Sequence, residues 1–591
     1  MNHFVLTLLH FNLQYVAGGL EGVFPGAGFD EAGLEDAIID ESFEPVLDML
    51  DAHPTWSVDL ELQSYMVEVM AARRPQVLAH LKALADAGQV EIVSFTYSDQ
   101  LWVAYPWRDQ QASLELTRRI FEANGLPLGT AVFTQEGQFG PGMVERMPDF
   151  GYGVAVLPHN LAEYFFGGPY AHPVYRASNG VTVLIGGGGG QGVTEGGDAY
   201  QVDWHFMDDG ELYATGDADP YLGPVFKYNA ESMQKRIDDL IALEDSGAQI
   251  VSIGAFSAAI GTPPDALPPV GDGTWQPDDT GNVHRWMGGL GLWSTTEQDN
   301  HVITANTHAG QVVAAAGVIA GAEAVEPATK ALLLGEVSDS SGWNPMVTEV
   351  AYGLDHAAEA ERLALQAIEG ACAEQGATGA VVHLSDGTVT WDGALADEPT
   401  DPIDAPFALA TTGRPPGVTW TAWADDVDAV EVAWTVGYEA TSVAFPWDGL
   451  TVATVPALSE AVQTTNAADL AGGHPVLPLA TGLVRLSDGL WLVERTTTVH
   501  LAAHFEDGVI RFLDELTPPG DTWRFLVVHG DEARALAVAD AVNVNPDVAL
   551  ACPAVVADPG EPDVDCGCRT GSGAVPWAAV LGLLAVRRRR R

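Results

Sequence analysis

Lysine is almost missing from this chain. There are four in 591 residues, and all 26 lysines and arginines together face 81 aspartates and glutamates, for a net charge of -55. That imbalance excludes nucleic acid as a partner, because phosphate binding needs basic patches. It points instead to a strongly hydrated surface suited to salty surroundings, where screening relieves self-repulsion. Cysteine is scarce as well, and four are too few for a disulfide framework. Cys372, in an Ala-rich helical stretch, reads as a buried small hydrophobe, while Cys552 has no obvious partner apart from Cys566 and Cys568. Apolar residues are plentiful: at 47% hydrophobic the chain can bury large cores, as a multi-domain globular protein and not a disordered polyanion.

The end of the chain carries its own signal. Cys566-Gly-Cys568 precedes a Gly/Ser/Ala spacer, an apolar run from Ala574 to Val586, and five arginines, Arg587 to Arg591. An apolar segment closed by positive charge reads as a stop-transfer element with its arginines on the cytoplasmic side and the body exported. The run is shorter than the roughly 20 residues of a permanent span, which favours a transient, processed signal over a plain tail anchor. The tail resembles the myxobacterial-type sorting signal Myxo-CTERM. That resemblance implies a tail in the membrane during sorting, Cys566 or Cys568 as processing and anchor site, and a secreted or cell-surface protein. An N-terminal signal peptide is not evident, because Met1 to His10 holds an apolar stretch with no preceding Lys or Arg.

Along the body, short apolar runs alternate with amphipathic helical patterns over residues 1–265, the signature of a β/α architecture with a parallel sheet. Strands are expected at Phe4–Tyr15, Trp56–Leu62, Val90–Phe95 and Thr130–Thr134. Helices are expected at Ser42–Ala52, at Pro75–Ala87 with Gly88 as its cap, and at Gln110–Asn124. Polar residues recur where each strand should end: His10 and Asn12, Asp59 and Glu61, Ser98-Asp99-Gln100, Gln135-Glu136. In barrels of this kind such positions converge on one site. Residues 266–400 read as a mainly helical middle domain ending in a hairpin about Ser385-Asp-Gly. Residues 401–550 read as β-rich, 551–570 as a linker, and 571–591 as the hydrophobic tail.

This layout resembles the family 38 α-mannosidases and their relatives in glycoside hydrolase family 57, over roughly residues 3–360. The residues that carry the resemblance are Leu9-His10-Phe-Asn12-Leu-Gln14-Tyr15, Gly88-Gln-Val-Glu91-Ile-Val, Val132-Phe-Thr-Gln-Glu136-Gly-Gln-Phe-Gly140, and Ala331-Leu-Leu-Leu-Gly-Glu336-Val-Ser338-Asp339. It implies a (β/α)7-type barrel followed by a helical and a β-rich domain, with Glu136 as carboxylate nucleophile and His10, Asn12 and Gln14 binding sugar. It also implies a second carboxyl in a Leu-Gly-Asp-Asp-Phe element. Here that element reads Tyr221-Leu-Gly-Pro224-Val-Phe226, without either aspartate. Nearby candidates are Asp203, Asp208, Asp209, Asp217 and Asp219, with Asp203 and Asp219 ahead, since Asp208-Asp-Gly-Glu211 reads as a turn. The α-mannosidases hold zinc through a His-x-Asp, the nucleophile and a later His. In this chain Asn12 and Ser338 replace an anionic ligand and an imidazole, so no metal or other cofactor is expected.

A retaining glycosidase needs an ionised carboxylate to attack the anomeric carbon and a second, protonated carboxyl to release the leaving group. Glu136, ending an apolar strand in a Gly-flanked loop, suits the first task. The alternative is a carboxylate stabilising the helix that begins near Pro141. Pyranose rings stack on aromatic faces, and Trp102, Tyr105, Trp107, Trp275, Trp286 and Trp293 stand in loop-like sequence. Each could equally be a packing residue, but Trp275, Trp286 and Trp293 share one Gly-rich segment. Among these, Trp102, Trp275 and Trp286 are the candidate substrate platforms. The expectation is a retaining glycoside hydrolase acting on oligo- or polysaccharide outside the cell. Its rivals are a carbohydrate-binding surface protein on a degenerate barrel and, third, a polysaccharide deacetylase, which would need a paired-Asp metal motif that Leu8-Leu-His10-Phe-Asn12 does not offer.

Overall fold

The computed structural model describes residues 2–553 apart from 15, 23–24, 27, 187–189, 194–198, 208–229, 275–299, 343–345, 399, 436–440, 471–475, 498–501 and 515–519. Among the described residues of the first 250 there are ten strands: β1 (Asn2–Phe11), β2 (Val58–Leu62), β3 (Val90–Val93), β4 (Ala131–Val132), β5 (Val154–Pro158), β6 (Val174–Arg176), β7 (Thr182–Gly186), β8 (Gly190–Val193), β9 (Ala199–Met207) and β10 (Gln249–Ile250). β1 is buried from Phe4 to its end, as a parallel strand covered on both faces must be. It pairs in parallel with β2, β9 and β10, and β2 pairs in parallel with β3.

The expected parallel β/α pattern is present, but the strands fall into two sheets. One runs β3-β2-β1-β9-β8 with β10 on β1, and the other runs β4-β5-β7-β6. Among the described residues no pairing joins them into a closed barrel. Helices pack outside, and each follows from its sequence. The Trp107–Asn124 helix turns Leu114, Thr117, Ile120 and Phe121 inward and stops at Gly125, whose φ of 63° is easy only for glycine. The expected helix at Ser42–Ala52 begins earlier than its periodicity indicates. Glu31–Ile38, a π segment Ile39–Phe43 and Glu44–Ala52 follow one another directly, with Ile38, Ile39, Phe43 and Leu47 buried.

Three helices, Asn300–Ala320, Ala322–Gly335 and Val347–Ala367, pack on one another. Alanines at 309, 315, 316, 328, 357, 360 and 364 are almost fully buried there and let the helix axes approach closely. Asn300–Ala320 contains a stretch long and apolar enough for a membrane span, with 61% of its most apolar window buried against its neighbours. The hairpin Gly379–His383/Thr388–Trp391 turns about Ser385-Asp-Gly, and Gly379–His383 pairs on its other side with the last strand, Asp547–Ala551. Between them lie a five-stranded and a seven-stranded antiparallel sheet whose strands fall between Ala410 and His529.

Cys372 and Cys552 form a disulfide, 180 residues apart in sequence, which corrects the reading of Cys372 as a lone buried thiol. A bridge that closes so long a loop removes denatured-state entropy worth about 5 kcal/mol in the chain-entropy account. The sequence hid it because β pairing of the last strand, and no local spacing, brings the two cysteines together. Cys566 and Cys568 lie outside the described residues, as does the rest of the tail.

One hydrophobic cluster runs from the loops after β3 and β4 into the β-rich region, joining Phe139, Met143 and Phe165 to Ala457, Leu470 and Leu477. The contact is close enough to demand glycine. A Cβ on Gly142 would stand 2.1 Å from the Ala457 carbonyl, and one on Gly140 2.1 Å from Asp272 Oδ1. The loop that carries Glu136 is thereby clamped from its far side.

Candidate functional site

The C-terminal ends of β1, β2 and β3 bring together the polar residues that the sequence repeats there. His10 lies opposite Glu61 in the β1–β2 register, and its Nδ1 pairs with the Glu61 carboxylate, both side chains being buried. Asn12 donates from Nδ2 to Asp339 Oδ2 at 2.9 Å and accepts the Gln14 backbone N–H on Oδ1 at 2.6 Å. Gln14 donates to Tyr352 Oη at 2.9 Å and accepts the Asp99 N–H at 3.2 Å. Side chains from the strand ends thus meet the helical region at Asp339 and Tyr352.

Asp99 stands at the centre of this network and is 1% exposed. Its segment is stitched to the helical region by Ser338 N–H to Asp99 O (2.9 Å), Leu101 N–H to Glu336 O (2.9 Å), and Ser98 Oγ to Leu333 O. Burial holds its carboxyl well above the usual carboxylate range. Glu61 and Asp339 push it the same way, against the opposing charge of His10. Its Oδ2 has no hydrogen-bond partner among the described residues. Burial likewise raises the pKa values of Glu349 and Tyr352.

Glu136 follows β4 on a short 3-10 turn, Gln135–Gly137, with φ 58° and ψ 20°. A non-glycine residue there is strained, and the surroundings must hold it. They do so through Gln138, which donates to the carbonyls of Gln100 (2.7 Å) and Gln135 (2.9 Å) and accepts the Val103 N–H (3.2 Å). Thr134 Oγ1 closes the turn on Gln138 O at 2.8 Å. The Glu136 turn and the Asp99 loop therefore share one bridging side chain. Glu136 itself is half-buried, with Gln135 Nε2 3.1 Å from its Oε1. Phe133 packs edge-on to His10 with ring centroids 6.2 Å apart.

Several expectations change in this light. Asp203 lies on β9 opposite Val5, five residues before His10, or about 16 Å down the strand. There it accepts from His3 Nε2 at 2.7 Å. It is not brought to the cluster, because the β1–β9 register, invisible in sequence, sets its height. Trp102 is fully buried in the apolar core and offers no stacking face, since the 3-10 turn Trp102–Ala104 folds it inward. Asp219, Trp275 and Trp286 lie outside the described residues. Asp59 does not join the cluster either: both its oxygens accept the N–H of Ile253, at 3.0 and 3.2 Å. Glu91 accepts from Gly254 N–H and Thr130 N–H, each at 2.9 Å. Sequence reasoning placed Glu61 and Asp99 among the strand-end residues that converge on the site and Asp339 in the element that resembles the α-mannosidases, but gave none of them a chemical role. The signal was their recurrence at strand ends and after the Leu332-Leu-Leu run.

The zinc that the α-mannosidase resemblance brings with it does not suit these residues. Asn12 spends its oxygen on the chain and its nitrogen on Asp339, and Ser338 offers a hydroxyl where an imidazole is needed. Among the described residues, the His, Cys, Asp and Glu side chains whose ligand atoms converge within 4.8 Å in a group of three or more are Asp48, Asp51 and His80, at the surface.

No protein-family model matches the chain. An alpha-amylase of Pyrococcus horikoshii is 29% identical over 102 residues, 16% of this chain and 16% of that protein. The match therefore spans a small part of the relative's length. Among solved structures, an alpha-mannosidase from Enterococcus faecalis V583 superposes with a TM-score of 0.60 at 10% identity, covering 93% of this chain and 89% of that one. A GH57-type branching enzyme from Pyrococcus horikoshii gives 0.43 at 12% identity, over 64% and 92%. Nearly the whole chain thus shares its fold with the Enterococcus alpha-mannosidase.

Proposed function

We propose that the protein is a glycoside hydrolase acting on oligo- or polysaccharide, with retention at the anomeric carbon, outside the cell. One observation carries this reading. A half-buried carboxylate on a strained turn, Glu136, shares a bridging glutamine with the loop of a fully buried carboxyl, Asp99, whose pKa burial and the neighbouring Glu61 raise. General-acid-assisted glycosyl transfer requires one carboxyl that can hold a proton beside one that can attack as the carboxylate. Glu136 attacks the anomeric carbon, and the leaving oxygen takes the proton of Asp99. Water then enters, losing its proton to Asp99, and frees Glu136. His10, Asn12 and Gln14 orient the sugar from the end of β1, with His10 fixed by Glu61 and Asn12 by Asp339.

The mannosidase fold supports the reaction class, and the Cys372–Cys552 disulfide supports an oxidising, exported setting. A carbohydrate-binding protein without turnover is the second reading, favoured by the engagement of Asp203 away from the cluster. The test is hydrolysis of aryl glycosides and oligosaccharides by the full chain, with Glu136→Gln beside it and the product anomer followed by NMR. Turnover with retention that vanishes in the variant supports the proposal. Sugar binding without turnover sinks it in favour of the second reading.

A further inference from the structure

A groove of about 490 Å³ lies between the start of the Trp107–Asn124 helix and the β-rich region, on Trp107, Arg108, Gln111, Ser459, Thr481 and Ala537 among others. That size is within the range of ligand sites. Trp107 is half-buried and held in place by Arg146, 4.7 Å above its ring, and by the edge of Phe150. Two of the three carboxylates around the groove are matched by arginines. Arg108 faces Asp109 at 3.4 Å and donates to Val544 O at 2.7 Å, Glu460 pairs with Arg146 at 2.7 Å, and Asp540 accepts from Asn545 at 2.7 Å. One carboxylate, Asp540, meets only the neutral Asn545 amide among the described residues, so the groove has no surplus positive charge to attract an anion. Hydrogen-bonding capacity does remain: Arg108 Nη2 and Thr481 Oγ1 are both buried and, among the described residues, have no hydrogen-bond partner.

We infer that this groove is a second carbohydrate site that holds a neutral glycan chain. An indole surface beside a spare guanidinium N–H and a spare hydroxyl, with no surplus positive charge, fits a ligand that has apolar C–H faces and many hydroxyls but no negative charge. The helix start follows the same post-β3 loop that carries Asp99, so the groove borders the side of the fold on which the strand ends gather. The inference takes from the proposed function only the role of the bound chain, as polymer held for the hydrolytic site.

The test is affinity electrophoresis of the full chain, in a Glu136→Gln background that leaves polymer intact, through gels containing glycogen, yeast α-mannan or, as an anionic control, polygalacturonate. Two groove variants are compared, Trp107→Ala and Ala537→Arg. The second sits on an exposed helical position and fills the groove without touching the core. Retardation by a neutral polymer that weakens tenfold or more in both variants is the expected result. With Glu136 restored, kcat/KM on a small aryl glycoside should stay within twofold while KM for the polymer rises. Affinities of Ala537→Arg within twofold of the parent, preference for polygalacturonate, or no retardation by either neutral polymer would overturn the inference. Groove-dependent retardation in a chain that hydrolyses no glycoside sustains the site and removes the hydrolase reading alone.

Discussion

Two sets of buried and half-buried carboxylates gather about the β1–β2–β3 sheet, and they are spent differently. The lower set, Asp59 and Glu91, gives its oxygens to the N–H groups of Ile253, Gly254 and Thr130 and so holds the start of the Ile253–Ile260 helix. The upper set, Asp99 with Glu61 and Asp339, is tied to side chains at the strand ends and leaves Asp99 Oδ2 without a partner among the described residues. Burial raises Asp59 and Asp99 alike. A perturbed carboxyl is therefore no sign of chemistry by itself. What separates the two is whether the oxygens are already occupied.

The comparison breaks most visibly in rate. Glu136→Gln is expected to lower kcat by at least about 10,000-fold. Asp99→Asn should lower it by about 100- to 10,000-fold for poor leaving groups and far less for activated aryl glycosides, which need no proton. Equal losses on both substrate types would make Asp99 something other than the acid.

Stability should respond the other way. Asp59→Ala leaves a buried Ile253 N–H unpaired and should lower unfolding free energy by about 1–3 kcal/mol in urea titration, with the activity of the folded fraction kept. Asp99→Asn should change stability little, because it exchanges one buried polar group for another of the same size at a place where, among the described residues, Oδ2 already lacks a partner. If Asp59→Ala silenced the enzyme and Asp99→Asn unfolded it, the distinction would be void.

Two smaller effects depend on pH. Asp99 must be protonated to act, so kcat/KM should fall as pH rises through its raised pKa. Glu61→Gln removes a charge that holds that pKa up, and the alkaline limb should then move to lower pH. A limb that stays in place would detach Asp99 from the profile. Asp272 sharpens the comparison as an intermediate case. Its Oδ2 accepts the Ala457 N–H at 2.7 Å, its Oδ1 has no partner among the described residues, and burial pushes its carboxyl up to about 8. The folded state keeps this proton after the unfolded chain has lost it. Stability from this group is therefore full below about pH 4 and falls, by at most about 1.4 kcal/mol per pH unit, until about pH 8. Asp272→Asn should flatten that slope in melting curves taken across the interval.

Local signals carried the framework. Period-3.6 patterns marked the Pro75–Asp86 helix, with Gly88 as its cap, and all but the first three residues of the Trp107–Asn124 helix, and apolar runs marked β1 to β4. Recurrent polar residues at the strand ends marked the place of the site. What could not be read there is non-local. Strand register sets Asp203 opposite Val5 and Glu61 opposite His10. A turn of three residues buries Trp102. Pairing of the last strand with Gly379–His383 unites two distant cysteines. Asp59 and Glu61 look equivalent in sequence, and only the position of the Ile253 N–H tells them apart.

The disulfide also sets how the molecule bears tension. Everything between residues 372 and 552 leaves the helical region and returns to it at one covalent clasp. A pull on the chain beyond residue 553 therefore enters at Cys552 and passes through sulfur to the Glu369–Gln375 helix. The two antiparallel sheets hang off that path as an unloaded side branch, able to keep their shape, and the groove on their flank, while the chain is held under strain.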